Sequence, residues 1–148
     1  MTKWDNYFMN IAIETAKLSK DPSHKVGAVL VKDKHVKSIG YNGAPHGFPD
    51  ELVPLNNKSE ELINQKRSYM CHAELNSVLN YNGQLSDLKD ATIYVTLSPC
   101  YNCALLLAQL GIKEVIYLEK YHKDEINKVT ENIFTKCHIK MTQFKGGE

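Results

Sequence analysis

The sequence predicts a layered α/β domain with parallel strand pairs, and three observations carry that expectation. Short apolar runs rich in β-branched residues alternate with segments of helical apolar spacing, and strands separated by helices imply parallel pairing through crossover connections. No internal repeat, low-complexity tract or Gly/Ser linker divides the 148 residues, so one domain over 1–148 is expected. Hydrophobic residues make up 43% and charged residues 24%, the balance of a chain able to bury a core.

The elements follow in order. From Trp4 to Ser19, Phe8, Ile11, Ala12, Thr15 and Leu18 recur at helical spacing, with Asp5 as the expected N-cap and Asp21-Pro22-Ser23 as the stop. Val26 to Val31 is an almost wholly apolar run, expected as a buried strand. A turn at Lys32-Asp33-Lys34 leads to a weaker strand, Val36 to Tyr41. Asn42 to about Arg67 is polar and carries Gly43, Pro45, Gly47, Pro49 and Pro54, with a short helix expected around Glu60 to Gln65. A loop this long in a compact domain is usually functional or disordered. Cys71 to about Asn80 reads as a helix ended by Asn82-Gly83. Thr92 to Leu97 alternates, with Ile93, Val95 and Leu97 on one face of a strand. Ser98 as N-cap and Pro99 at the first helical position open the next helix; Ala104, Leu105, Leu107, Ala108 and Leu110 give it an apolar surface, and Gly111 ends it. Val115 to Leu118 is a strand, Ile126, Val129 and Ile133 mark a last helix, and a strand lies near Ile139 to Phe144. The predicted order is α-β-β-α-β-α-β-α-β.

Eighteen Lys and Arg against seventeen Asp and Glu leave a net charge of +1, with no long basic run, so no nucleic-acid partner is expected. The start, Met1-Thr2-Lys3-Trp4-Asp5, lacks the apolar stretch of a signal peptide, and no run reaches a membrane span. A cytoplasmic chain without a membrane partner is expected. Four cysteines are present, Cys71, Cys100, Cys103 and Cys137. In an intracellular chain a close C-x-x-C pair more often binds metal or does redox chemistry than forms a structural disulfide.

The sharpest motif is His72-Ala73-Glu74 followed by Pro99-Cys100-Tyr101-Asn102-Cys103, which matches the known H-x-E…P-C-x-x-C signature of zinc nucleobase deaminases. Catalytic zinc takes three protein ligands and leaves one position open, and His72, Cys100 and Cys103 supply that count. Cys100 and Cys103, three apart, share one helix face. Their place in the first turn favours thiolate over thiol, and His72 would sit near the start of a second helix. Glu74 is offset by two residues from His72, which would put its carboxylate beside the activated water. There it would carry a proton to the ring nitrogen and the departing ammonia. The expected reaction is hydroxide attack on C4 of cytosine, a tetrahedral intermediate, and loss of ammonia. A C-x-x-C pair alone is more often a structural zinc knuckle or a redox pair than a catalytic site. A structural site wants a fourth ligand at paired spacing, which neither Cys71 nor Cys137 offers.

Further segments narrow the substrate. Lys20-Asp21-Pro22-Ser23-His24-Lys25-Val26-Gly27-Ala28, Gly40-Tyr41-Asn42-Gly43-Ala44-Pro45-His46-Gly47, Cys71 to Asn76, Ser98 to Ala104, Ala108 to Ile116 and Lys120-Tyr121-His122 resemble deoxycytidylate (dCMP) deaminases. The resemblance covers roughly residues 7 to 144 and is especially close to the eukaryotic and viral branch. It implies a three-layer α/β/α fold of the cytidine-deaminase type around a five-stranded mixed sheet. It further implies conversion of dCMP to dUMP with one catalytic Zn²⁺ per chain. Regulation by dCTP as activator and dTTP as inhibitor, Mg²⁺ accompanying a triphosphate effector, and a homo-oligomer, commonly a hexamer, are implied as well. Some relatives carry a second, structural zinc near the long loop; Asn42 to Arg67 holds no cysteine, so that site is expected to be absent. The resemblance assigns Asn42 to the sugar hydroxyl, Val26 and Ala73 to the base pocket, and the Ser98 carbonyl to the amino group being lost. Ser23, Lys25 and Lys120-Tyr121-His122 are candidates for the 5′-phosphate, which demands cationic and hydroxyl donors; for Lys25 and Lys120 a solvated surface lysine stays open. Asn42, Gly43, Ala44, Pro45 and Gly47 match the effector loop, with an ordinary turn as the alternative. His24 and His46 read as loop residues. Competing functions are a deaminase that also accepts dCTP, one acting on cytidine or on a base within nucleic acid, and a non-catalytic, zinc-stabilised nucleotide sensor.

Overall fold

A computed structural model describes residues 1–146. Helix α1 (Lys3–Ala16) begins before Asp5, which corrects the expected cap. Thr2 is the N-cap: its hydroxyl accepts from the Asp5 N–H at 3.1 Å, and the Asp5 carboxylate accepts from the Thr2 N–H at 3.1 Å. Asp5 is thus the third helical residue of a reciprocal capping box. Strands β1 (Gly27–Lys32) and β2 (His35–Tyr41) form an antiparallel hairpin. Asp33 (φ 52°) and Lys34 (φ 63°) both take left-handed backbone in its turn, the twist a two-residue hairpin requires.

The sheet is completed by β3 (Thr92–Leu97), β4 (Glu114–Glu119) and β5 (Lys140–Gln143), in the order β2-β1-β3-β4-β5. β1 pairs antiparallel with β2 and β3, whereas β3, β4 and β5 run parallel. The parallel half follows from its connections, since α3 (Tyr101–Leu110) and α4 (Asp124–Lys136) cross over between successive strands. One sheet face packs Val29, Val31, Tyr94 and Ile116 against Phe8, Met9 and Ala12 of α1. The other packs Ala28, Leu30, Ile93, Val95 and Val115 against Ala73, Ala104, Leu107 and Phe134, from α2 (Ala73–Leu79), α3 and α4. Burial on both faces is why β1 reads as one unbroken apolar run. This is the three-layer α/β/α arrangement with a five-stranded mixed sheet.

Three further boundaries differ from the sequence expectation. α3 starts at Tyr101 with Cys100 as its N-cap, not at Ser98-Pro99. Ser98 is drawn towards β4: its N–H donates to the Glu119 carbonyl at 2.8 Å and its hydroxyl accepts from the Tyr121 N–H at 2.7 Å. α2 starts one residue after His72, its N-cap, and stops at Asn80 before Asn82-Gly83. The stretch from Asn42 to Arg67 contains short 3₁₀ turns at Asp50–Leu52, Leu62–Asn64 and Lys66–Tyr69 in place of one helix around Glu60 to Gln65. Among the described residues no helix is long and apolar enough to cross a membrane.

Two glycines set the helix heights on the sheet. A Cβ on Gly27 would lie 2.1 Å from the Ala12 carbonyl oxygen, and one on Gly40 would lie 2.3 Å from the Ser77 nitrogen and 2.5 Å from the Ala73 carbonyl oxygen. At Gly40 the backbone of α2 therefore rests directly on β2. Gly40→Ala must lift α2, and with it His72 and Glu74. The expected destabilisation is about 3 kcal/mol, the upper end for overpacking. Thermal unfolding checks this; an unchanged melting temperature would show that α2 has slack there.

Candidate active site

The site lies where the long excursion after β2 returns to the fold and where β3 hands over to α3. An isolated antiparallel bridge closes the excursion: the Gly43 N–H donates to the Cys71 carbonyl at 3.1 Å, and the Cys71 N–H to the Gly43 carbonyl at 2.7 Å. His72, the next residue, is fixed by that bridge on one side and by α2 on the other. Cys100 occupies the equivalent position at the start of α3. Both are N-cap residues with extended backbone (ψ 153° and 168°), and neither side chain caps its helix. The imidazole and thiol are consequently free to face each other. His72 Nδ1 lies 3.3 Å from Cys103 Sγ and 3.5 Å from Cys100 Sγ, and the three donor groups fall within 4.8 Å of one another.

That donor set fits zinc. Two sulfurs and one imidazole are soft and borderline ligands, of the kind zinc favours, and three of them leave one tetrahedral position free. Electrostatics around the trio are polarised. The Cys103 thiol donates to Cys100, which together with His72 brings the Cys100 thiol down to about 4. Cys103 moves the other way, because it is the thiol that keeps the shared proton and because it is buried. The Cys100 thiolate in turn raises His72 above its ordinary value. One thiolate is thus already favoured in this cluster before any cation arrives.

Glu74, the second residue of α2, is buried at 4% exposure. Burial pushes its carboxyl up to about 7, against the pull of His72. Ala73 beside it is buried in the core against the sheet.

The remaining sequence candidates fall into two groups. Ser23, Lys25 and Val26 line a cavity of about 280 Å³ together with Thr96 and Glu119, at the ends of β3 and β4. Asn42 is buried beneath this strap, its amide oxygen accepting from the Val26 N–H at 2.9 Å and its amide nitrogen donating to the His24 carbonyl at 2.8 Å. Each end keeps one further hydrogen-bonding position. Ser98 is buried, and its hydroxyl holds the backbone of Tyr121. The Tyr121 carbonyl accepts from Asn127 Nδ2 at 2.6 Å, and its ring lies tilted against His122 with centroids 4.6 Å apart.

Outside that group, Lys120 lies 3.3 Å from Glu131 at the surface, so its charge already has a partner. Ala44, Pro45 and Gly47 form a turn leading out of the bridge, closed by the Phe48 N–H donating to the Pro45 carbonyl at 3.1 Å. Gly47 has φ 86° there. Around Gly43 there is open space where a side chain would be. His24 and His46 are exposed.

Several residues that shape the site escaped the sequence reading. Thr130 of α4 is buried and donates to the Pro99 carbonyl at 3.1 Å, fixing the turn that carries Cys100. Asn127 holds Tyr121, and Gly40 seats α2. Lys66 is buried against Asp21 at 2.8 Å. In sequence these are a helix threonine, a helix asparagine, a strand glycine and one lysine in a polar stretch, and nothing local marks them.

Comparison with known proteins adds an independent line. The profile of the cytidine and deoxycytidylate deaminase zinc-binding region matches residues 2–119. The deoxycytidylate deaminase of Mus musculus is 41% identical over 144 residues, covering 96% of this chain and 80% of the mouse protein. The deoxycytidylate deaminase of Mycobacterium phage D29 is 42% identical over 123 residues, covering 77% of this chain and 93% of the phage protein. A crystal structure of dCMP deaminase from the cyanophage S-TIM5, in complex with dCMP and dUMP, superposes with a TM-score of 0.75 at 22% identity, covering 97% of this chain and 99% of the other. At that identity the superposition speaks for the fold.

Proposed function

Because the chain belongs to the cytidine and deoxycytidylate deaminase family, we propose that it hydrolyses dCMP to dUMP and ammonia. The observation that carries this reading is the convergence of His72, Cys100 and Cys103 within 4.8 Å, with a buried carboxylate, Glu74, two residues from the first.

In this reading His72, Cys100 and Cys103 hold one zinc ion per chain. Zinc bound by such a set supplies Lewis acidity that brings the pKa of a water towards roughly 7. The proton chemistry belongs to Glu74. It takes one proton of the attacking water as the new C–O bond forms at C4 and passes it to ring N3. It then takes the second proton from the resulting C4 hydroxyl and delivers it to the amino group, so that the C4–N bond breaks, ammonia leaves and the C4 carbonyl forms. Its burial excludes bulk water from that transfer. Val26 and Ala73 flank the base, with the Ala73 backbone reading the pyrimidine edge, and the Ser98 carbonyl accepts from the departing amino group. Asn42 offers its remaining amide positions to the sugar hydroxyl. Lys25 and the Tyr121 segment face the 5′-phosphate; Ser23 belongs to the same strap.

dCTP activates and dTTP inhibits through the Asn42–Gly47 turn, with Mg²⁺ accompanying the triphosphate. The chain is a single domain over 1–148 that works as a cytoplasmic homo-oligomer, a hexamer. The family resemblance supports these points, and the Gly43–Cys71 bridge offers a route from that turn to His72.

Steady-state rates on dCMP, deoxycytidine, dCTP and a single-stranded oligonucleotide, each with and without dCTP or dTTP and Mg²⁺, test the proposal. dCMP is expected to have the highest kcat/KM. Activity confined to the unphosphorylated nucleoside would sink the nucleotide reading. Elemental analysis is expected to find one zinc per chain; two would restore the structural site.

A further inference from the structure

We propose that Lys66 is a positioning residue for phosphate recognition, acting from beneath the Ser23–Val26 strap through its buried contacts with Asp21 and Ser23. The inference rests on the dCMP reading above and adds to it a residue that touches no substrate.

A lysine inside a protein needs a reason. Lys66 is 5% exposed and Asp21 likewise 5%, and buried charges are kept only where they are paired and hydrogen-bonded. Here the ammonium donates to Asp21 Oδ1 at 2.8 Å and to Ser23 Oγ at 2.5 Å. The same carboxylate oxygen accepts from the Ser23 N–H at 2.9 Å, the His24 N–H at 3.0 Å and the Ser23 hydroxyl at 3.2 Å. One oxygen thus gathers the donors of a whole turn, and Lys66 locks it from the far side.

The consequences fall on the cavity. Ser23, His24, Lys25 and Val26 line it, and they are held from below at both ends: by Lys66 and Asp21 at Ser23, and by Asn42 at His24 and Val26. Ser23 cannot offer its hydroxyl hydrogen to a phosphate while it donates to Asp21. Its role is therefore to be held, and the strap presents Lys25 in its place. Glu119 lines the same cavity, so an anion entering it meets an opposing carboxylate. Recognition of a phosphate there depends on the strap keeping Lys25 in register, because a long cationic side chain displaced from its acceptor gives up most of its charge-assisted bond.

Lys66→Met is the test, read on dCMP and deoxycytidine side by side. KM for dCMP is expected to rise roughly tenfold or more, the loss of one hydrogen bond to a charged group. kcat on dCMP, kcat/KM on deoxycytidine and zinc content are expected to stay within about twofold of wild type. A parallel fall on both substrates would make Lys66 a structural brace only, and no change on either would make it idle; both results overturn the proposal. Should Lys66→Met not fold, Asp21→Asn/Lys66→Met, which leaves no buried charge, is read in the same way. Failure of both to fold assigns the pair to stability and also overturns it. A wild-type chain without dCMP turnover would defeat the substrate reading itself, a separate and visible outcome.

Discussion

Glu74→Gln is expected to lower dCMP turnover by roughly 10²- to 10⁴-fold, the range supplied by a positioned acid–base group, while zinc content and melting temperature stay at wild-type values. The substitution keeps the shape of the side chain and removes only its capacity to carry a proton. Glu74 is 4% exposed, and a neutral amide is easier to bury than a carboxylate, so a folding defect is not expected. The imidazole and the thiols are untouched, and the metal should remain. Measuring turnover and zinc on the same preparation checks this. A Glu74→Gln variant with full zinc and near-normal turnover would remove Glu74 from the chemistry.

Cys103→Ala is expected to fail differently, losing zinc and turnover together. Cys103 is buried on α3 with its sulfur 3.3 Å from His72 Nδ1, and three protein ligands are the working minimum for catalytic zinc. Removing one leaves an imidazole and a single thiol, a set that competes poorly with solvent. Because binding energy at such a site is also folding energy, the melting temperature should fall as well, and a chelator should produce the same fall in the unaltered protein. Retained turnover without Cys103 would mean that the metal, if any, sits elsewhere. Taken together the two variants separate proton transfer from metal retention, which a structural zinc knuckle could not do.

The strands were the most legible part of the fold. Thr92–Leu97 is bounded where its alternation begins and ends, and the apolar run after Val26 matches β1 within a residue, since burial on two faces leaves a compositional mark. Helix starts were less legible. Ser98 and Asp5 are both good capping residues, and each was expected to cap the helix that follows it. In the structure the Ser98 hydroxyl accepts from the Tyr121 N–H, 23 residues ahead, and Thr2 takes the cap expected of Asp5. Local propensity names residues able to cap; competition among distant partners decides which of them do.

The same division runs through the site. His72, Glu74, Cys100 and Cys103 could be picked out from the chain alone, because donor chemistry and short spacing are properties of the residues themselves, and family membership is legible for the same reason. Which polar groups are already engaged within the fold is visible only in three dimensions. The Ser23 hydroxyl is tied to Asp21 and Lys66, the Asn42 amide is stretched between His24 and Val26, and the Lys120 charge is paired with Glu131. A hydrogen bond between residues 43 apart, as between Lys66 and Ser23, leaves no trace in either local sequence. It exists because the chain folds the two segments together and the cost of an unpaired buried charge selects their partners.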